Sequence, residues 1–73
     1  VRVDPGCALE THIHPGQSEL HLVLAGSGVA EVNGRLLDYR DGAVAAIPSN
    51  TPHAMRAGAD GILLLATFSP ALA

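Results

Sequence analysis

From Glu19 the chain reads Glu-Leu-His-Leu-Val-Leu-Ala, with Leu20, Leu22 and Leu24 on one parity and Glu19, His21, Val23 and Ala25 on the other. A period of two belongs to an extended strand, because successive strand side chains point to opposite faces. Similar short runs recur along the chain. They are separated by Pro5-Gly6, Pro15-Gly16, Gly26-Ser27-Gly28, Asn33-Gly34, Asp41-Gly42, Pro48-Ser49-Asn50 and Gly58 to Gly61. The pattern predicts strands at Ala8–His14, Glu19–Ala25, Val29–Val32, Arg35–Arg40, Ala43–Ile47, Pro52–Arg56 and Ile62–Phe68. Asn33-Gly34 is the sharpest break, since a two-residue type I′ turn needs positive φ at both positions. It joins the third predicted strand to the fourth as a hairpin. Short strands at this spacing make an all-β sandwich or barrel.

Two stretches are more apolar than one buried face requires. Leu20, Leu22 and Leu24 lie on the reverse of the Glu19 and His21 face, and Ile62 to Phe68 is apolar on both parities. A solvated exterior does not carry such a stripe, so a cover is expected. A second copy of the chain, giving a homodimer, is the simplest one; flanking residues of a longer chain are the alternative.

Composition narrows the class. Residues 1–73 make a single domain, and a chain this short buries only about 60% of its unfolded surface. A hydrophobic content of 48% is that of a globular protein. The net charge of −3 comes from seven acids against four arginines, without a basic cluster, so no nucleic-acid partner is expected. No apolar run reaches the length of a membrane span, and no charged-then-apolar leader is visible, so no membrane association is expected. The single cysteine, Cys7, excludes an internal disulfide and a CxxC zinc pattern. A cytoplasmic setting and a buried, inert thiol follow as expectations.

Three of the four histidines fall within ten positions, in Thr-His-Ile-His-Pro-Gly-Gln-Ser-Glu-Leu-His. On a strand, His12 and His14 share a face about 6.6 Å apart along the chain. That spacing suits two imidazoles converging on one ion. Glu19 opens the next strand, and His53 follows Pro52 at the start of another. The plain alternative is a filled barrel with hydrogen-bonded histidines. Met55 shares a face with His53, and Arg56 lies on the opposite one. The strand from Ala43 to Ile47 is built of small residues, which leaves room for a cavity.

The wider spacing resembles the cupin superfamily. Its first motif, G-x5-HxH-x3,4-E-x6-G, is matched at every fixed position by Gly6, His12, His14, Glu19 and Gly26. Its second, G-x5-PxG-x2-H-x3-N, keeps Gly42, Pro48 and His53 but carries Asn50 for the middle glycine and Ala57 for the final asparagine. Asn50 is a mild change, because asparagine tolerates left-handed backbone. The resemblance implies a small double-stranded β-helix, or jelly-roll, barrel with His12, His14, Glu19 and His53 as metal ligands. Three imidazoles and a carboxylate suit one divalent transition metal ion: Fe, Mn, Ni, Co, Cu or Zn.

His21 shares the Glu19 face and is the candidate catalytic residue. A neutral imidazole could serve as a general base beside a metal-bound substrate, or it could hold a ligand carboxylate by a hydrogen bond. Within the superfamily, the stretch from Ile47 to Pro70 is similar to the small cupins of pectin and alginate breakdown, which open unsaturated uronates to keto sugars. "ELHLVLAG" and "PHAMR" resemble the dimethylsulfoniopropionate lyases, which carry tyrosine where this chain has His21. These likenesses imply a metal-dependent lyase or isomerase acting on a small oxygenated carboxylate or sugar-derived substrate. An O2-dependent dioxygenase and a non-enzymatic small-molecule-sensing module are the alternatives.

Overall fold

Turns and bulges, rather than turns alone, punctuate this chain. A computed structural model describes residues 1–13 and 15–70; the fold is all-β, with no helix among the described residues. The strands are β1 (Arg2–Val3), β2 (Ala8–His12), β3 (Gln17–Val32), β4 (Arg35–Arg40), β5 (Val44–Ile47) and β6 (His53–Pro70). Asn33 and Gly34 have φ of 50° and 81°, the two positive values that a type I′ hairpin demands, and they join β3 to β4 in antiparallel register.

Two of the expected breaks are not turns. Glu19–Ala25 and Val29–Val32 merge into the long β3, and Pro52–Arg56 and Ile62–Phe68 merge into the long β6. The glycines at these places bend the strands without reversing them. The register between β3 and β6 shifts between Val23 and Ala25 and again between Gly26 and Gly28, as bulges require. Gly26 has φ of 89°, and a Cβ there would stand 2.1 Å from the carbonyl oxygen of Gly61 on β6. Only glycine lets the two backbones cross this closely. The first shift also turns Ala25 outward, against the simple alternation.

Both long strands therefore serve two layers. In one layer the order is β5, the first half of β3, the second half of β6, then β1; in the other it is β4, the second half of β3, the first half of β6, then β2. This is the double-stranded β-helix that the cupin resemblance implied, and the hydrogen-bonded path of strands does not close on itself. Inward parity from both layers meets in one core of Val3, Val23, Ala30, Tyr39, Met55, Ala57, Ile62 and Leu64. Ala43 and Ala45 pack against its edge, so the small residues of that strand fill space as well as leave it.

The outer faces are as apolar as their sequence implied. Leu20, Leu24, Val44 and Leu65 are all exposed, and Phe68, opposite Glu19 and so on the inward parity, is exposed near the end of β6. Cys7 is exposed too, contrary to the buried thiol expected. It lies in the turn after Pro5-Gly6, its amide donating to the Asp4 carbonyl, just ahead of the exposed β2 residues Ala8 to Thr11.

Candidate metal centre

Three strands bring His12, Glu19 and His53 together at one end of the core. His12 ends β2 and is the register partner of His53, the first residue of β6. Their ring centroids are 4.1 Å apart, edge to face. Glu19 comes from β3, on the same inward parity as His21 and Val23. One ligand atom from each of His12, Glu19 and His53 lies within 4.8 Å of the others. His14, the fourth expected ligand, lies outside the described residues.

Backbone carbonyls orient both imidazoles. His12 Nδ1 is 2.8 Å from the carbonyl of Glu10, and His53 Nδ1 is 2.9 Å from that of Thr51. A carbonyl only accepts, so each Nδ1 carries the proton and donates it. In the neutral ring the lone pair is then left on Nε2. For His53 that atom stands 3.2 Å from Glu19 Oε1, beside the carboxylate. The local chain makes this possible. Asn50 adopts φ of 59° where the motif has glycine, and Thr51 Oγ1 donates to the Ser49 carbonyl at 3.2 Å, so the Thr51 carbonyl is held two residues before His53. One nitrogen from each imidazole and a carboxylate oxygen, all within 4.8 Å of one another, are a donor set that fits a divalent first-row ion.

Glu19 and His21 are both buried, and His21 Nε2 is 2.5 Å from Glu19 Oε2. The other ring nitrogen, Nδ1, is 2.8 Å from the hydroxyl of Tyr39 on β4, across the core. With Nε2–H donating to the carboxylate, a neutral His21 ring accepts at Nδ1 from the Tyr39 O–H. Burial first, and the Glu19 charge second, push the Tyr39 phenol from its usual 10 up to about 12, so it is a donor at neutral pH. The two rings meet nearly at right angles, at 89°.

The space between these groups is small. A cavity of about 40 Å³ is lined by these polar residues together with apolar ones that include Ala30, Ile47, Met55, Leu64 and Ala66. That volume accommodates an ion or a few waters before any ligand displaces them. Met55 lines it with His53, and Arg56 points outward, both as alternation required. Tyr39 was missed by sequence reasoning, although a signal existed: it is the chain's only tyrosine, set between Asp38 and Arg40, an arrangement that alternation turns inward.

This fold and this end of it define a class. The chain belongs to the cupin-domain family, whose model matches residues 1–68. Among solved structures, it is similar to a predicted oxalate decarboxylase from Thermotoga maritima at 26% identity and a TM-score of 0.88, over 94% of this chain and 61% of that one. KdgF from Halomonas sp. matches at 24% identity and a TM-score of 0.88, over 97% and 64%, a likeness of fold alone. A salicylate 1,2-dioxygenase from Pseudaminobacter salicylatoxidans matches at 26% and 0.84, over 94% of this chain and 19% of that one. The chain thus spans about three fifths of the length of the first two structures. No curated protein matches it. No helix among the described residues is long and apolar enough to cross a membrane.

Proposed function

We propose that this cupin binds one divalent transition metal through His12, His14, Glu19 and His53 and uses it as a lyase or isomerase on a small oxygenated carboxylate or sugar-derived substrate. The observation that carries the reading is the pair of Nδ1-to-carbonyl bonds, which aim the Nε2 atoms of His12 and His53 while Glu19 presents its carboxylate beside them. Such bonds from the far ring nitrogen are how ligating histidines are commonly oriented. When bound, the ion would polarise a substrate carbonyl or carboxylate and acidify the neighbouring C–H.

The chain's own residues would set the rest. Ala30, Ile47, Met55, Leu64 and Ala66 narrow the cavity and would restrict the reacting end of a substrate to a few atoms. His21 either moves the substrate proton or holds Glu19. Both of its ring nitrogens are engaged, so the first role requires it to release Glu19 or Tyr39, and the second requires no movement. His21→Phe separates them. A lost general base lowers kcat about 10²–10⁴-fold with metal retained, whereas a lost orienting bond lowers metal affinity about 10–100-fold.

A second reading, O2-dependent dioxygenation, is favoured by the likeness to the salicylate 1,2-dioxygenase. Oxygen uptake decides between the two. Turnover that continues without oxygen supports the lyase or isomerase, and uptake matching product supports the dioxygenase. The non-enzymatic alternative, a sensing module, predicts ligand binding with no turnover of any bound compound. We also propose that a second copy of the chain covers the exposed Leu20, Val44 and Leu65 face, making a homodimer.

A further inference from the structure

Tyr39 is a buried polar side chain that no motif position accounts for. It reaches from β4 in one layer to His21 in the other, and His21 reaches Glu19, so three side chains from two strands form one line of hydrogen bonds. That line ends on a particular oxygen. Oε2 of Glu19 is bonded to His21, while Oε1 faces His53 Nε2 at 3.2 Å.

We propose that Tyr39 is a positioning residue for the metal centre: it fixes the His21 imidazole, which holds Oε2 of Glu19 so that the carboxylate presents Oε1 alone to the ion. This rests on the metal-binding reading above. A glutamate carboxylate rotates broadly about its last torsion, so either oxygen, or both, would face an ion unless something holds one of them. The His21 bond does so only while the proton sits on Nε2. A neutral imidazole places its proton on either nitrogen, and the hydrogen bond at one nitrogen selects the tautomer at the other. The Glu19 carboxylate, which only accepts, sets that tautomer, and the Tyr39 O–H, made the donor by it, holds the ring at Nδ1 in the orientation the Glu19 bond needs. Without that hydroxyl, Nδ1 is a buried acceptor that has lost its donor, and the ring is held at one nitrogen alone.

The test uses Co(II), whose visible spectrum reports the ligand field. Metal-free wild type, Tyr39→Phe, His21→Phe and the double variant are titrated with Co(II) against a chelator, and the tautomer of His21 is read from its ring ¹⁵N shifts in the metal-free proteins. The expected result is a loss of affinity of about tenfold for Tyr39→Phe, within the range for an outer hydrogen-bond partner, and about 10–100-fold for His21→Phe. Because Tyr39 acts through His21, the double variant should bind no more weakly than His21→Phe alone. The Co(II) bands should shift in all three. In the metal-free wild type, Nε2 of His21 should carry the proton, and in Tyr39→Phe the Nδ1 shift should move to that of an acceptor without a donor while Nε2 keeps its proton. Unchanged affinity and spectrum in Tyr39→Phe, or losses that multiply in the double variant, would overturn the proposal. So would a wild-type His21 protonated on Nδ1 alone, a result that does not depend on any variant folding. The failures are distinguishable: absence of Co(II) binding in the wild type overturns the metal reading itself, whereas an Nδ1 shift indifferent to Tyr39→Phe overturns the line of bonds, metal or no metal.

Discussion

Replacing Gly26 by alanine tests whether the close crossing of β3 and β6 holds the two layers together. Gly26 and Gly34 both have positive φ, 89° and 81°, so an alanine meets a left-handed cost at either, about 1–2 kcal/mol. Their surroundings differ. A Cβ on Gly34 meets nothing within 4 Å, whereas one on Gly26 stands 2.1 Å from the Gly61 oxygen and 3.0 Å from Ile62 Cα. Both of those atoms are backbone, so relief requires one strand to move from the other, at a cost comparable to overpacking a core, about 1–3 kcal/mol. Gly26→Ala should therefore lose about 2–5 kcal/mol, against about 1–2 for Gly34→Ala. A domain of this length holds on the order of 4–11 kcal/mol in total, so the first loss is a large fraction of it. The assay is urea unfolding of both variants with chelator present, followed by circular dichroism, with thermal melts in parallel. The extra 1–3 kcal/mol corresponds to a melting temperature lower by about 4–24 °C than that of Gly34→Ala. Equal stability of the two variants would refute the reasoning.

Other consequences are as direct. Tyr39 is the only tyrosine, so tyrosinate absorbance reports it alone; in the metal-free protein its midpoint should lie near pH 12 instead of 10, and a midpoint near 10 would contradict its burial. Since the folded pKa is the higher one, the associated stability is complete below pH 10 and is lost as pH rises from 10 toward 12, which urea unfolding across that interval would show. Light scattering at micromolar concentration should give twice the chain mass, and Leu65→Glu should halve it; a cooperative wild-type monomer would remove the homodimer. For any substrate found, product formation should proceed in anaerobic buffer, and its cessation there would favour the dioxygenase.

The sequence carried the fold class because each inward parity is set locally. Glu19, His21 and Val23 alternate with leucines, as do His53, Met55 and Ala57 with their outward neighbours, and all six are buried. The β3–β4 hairpin was equally legible, since Asn33-Gly34 tolerates the backbone its turn imposes. What could not be read was whether glycine marks a turn or a bulge. Gly26 and Gly34 share a sign of φ, but Gly34 follows Asn33, also at positive φ, and reverses the chain, whereas Gly26 has no such neighbour and bends β3 against Gly61 on β6. The site divides in the same way. The cupin resemblance implied His12, His14, Glu19 and His53 as ligands, and the fold brings His12, Glu19 and His53 together from three strands. Tyr39 belongs to no spacing; it joins His21 through a contact between layers, eighteen positions away in sequence.

Metal stoichiometry tests the central claim most directly. The purified protein, stripped with chelator, is dialysed against a divalent first-row ion such as Co(II) or Zn(II), and bound metal is measured beside the His12→Ala/His53→Ala double variant. The account predicts one ion per chain in the wild type, a higher melting temperature with the ion than without it, and loss of both in the variant. Full occupancy in the double variant, or no ion retained by the folded wild type, would contradict it.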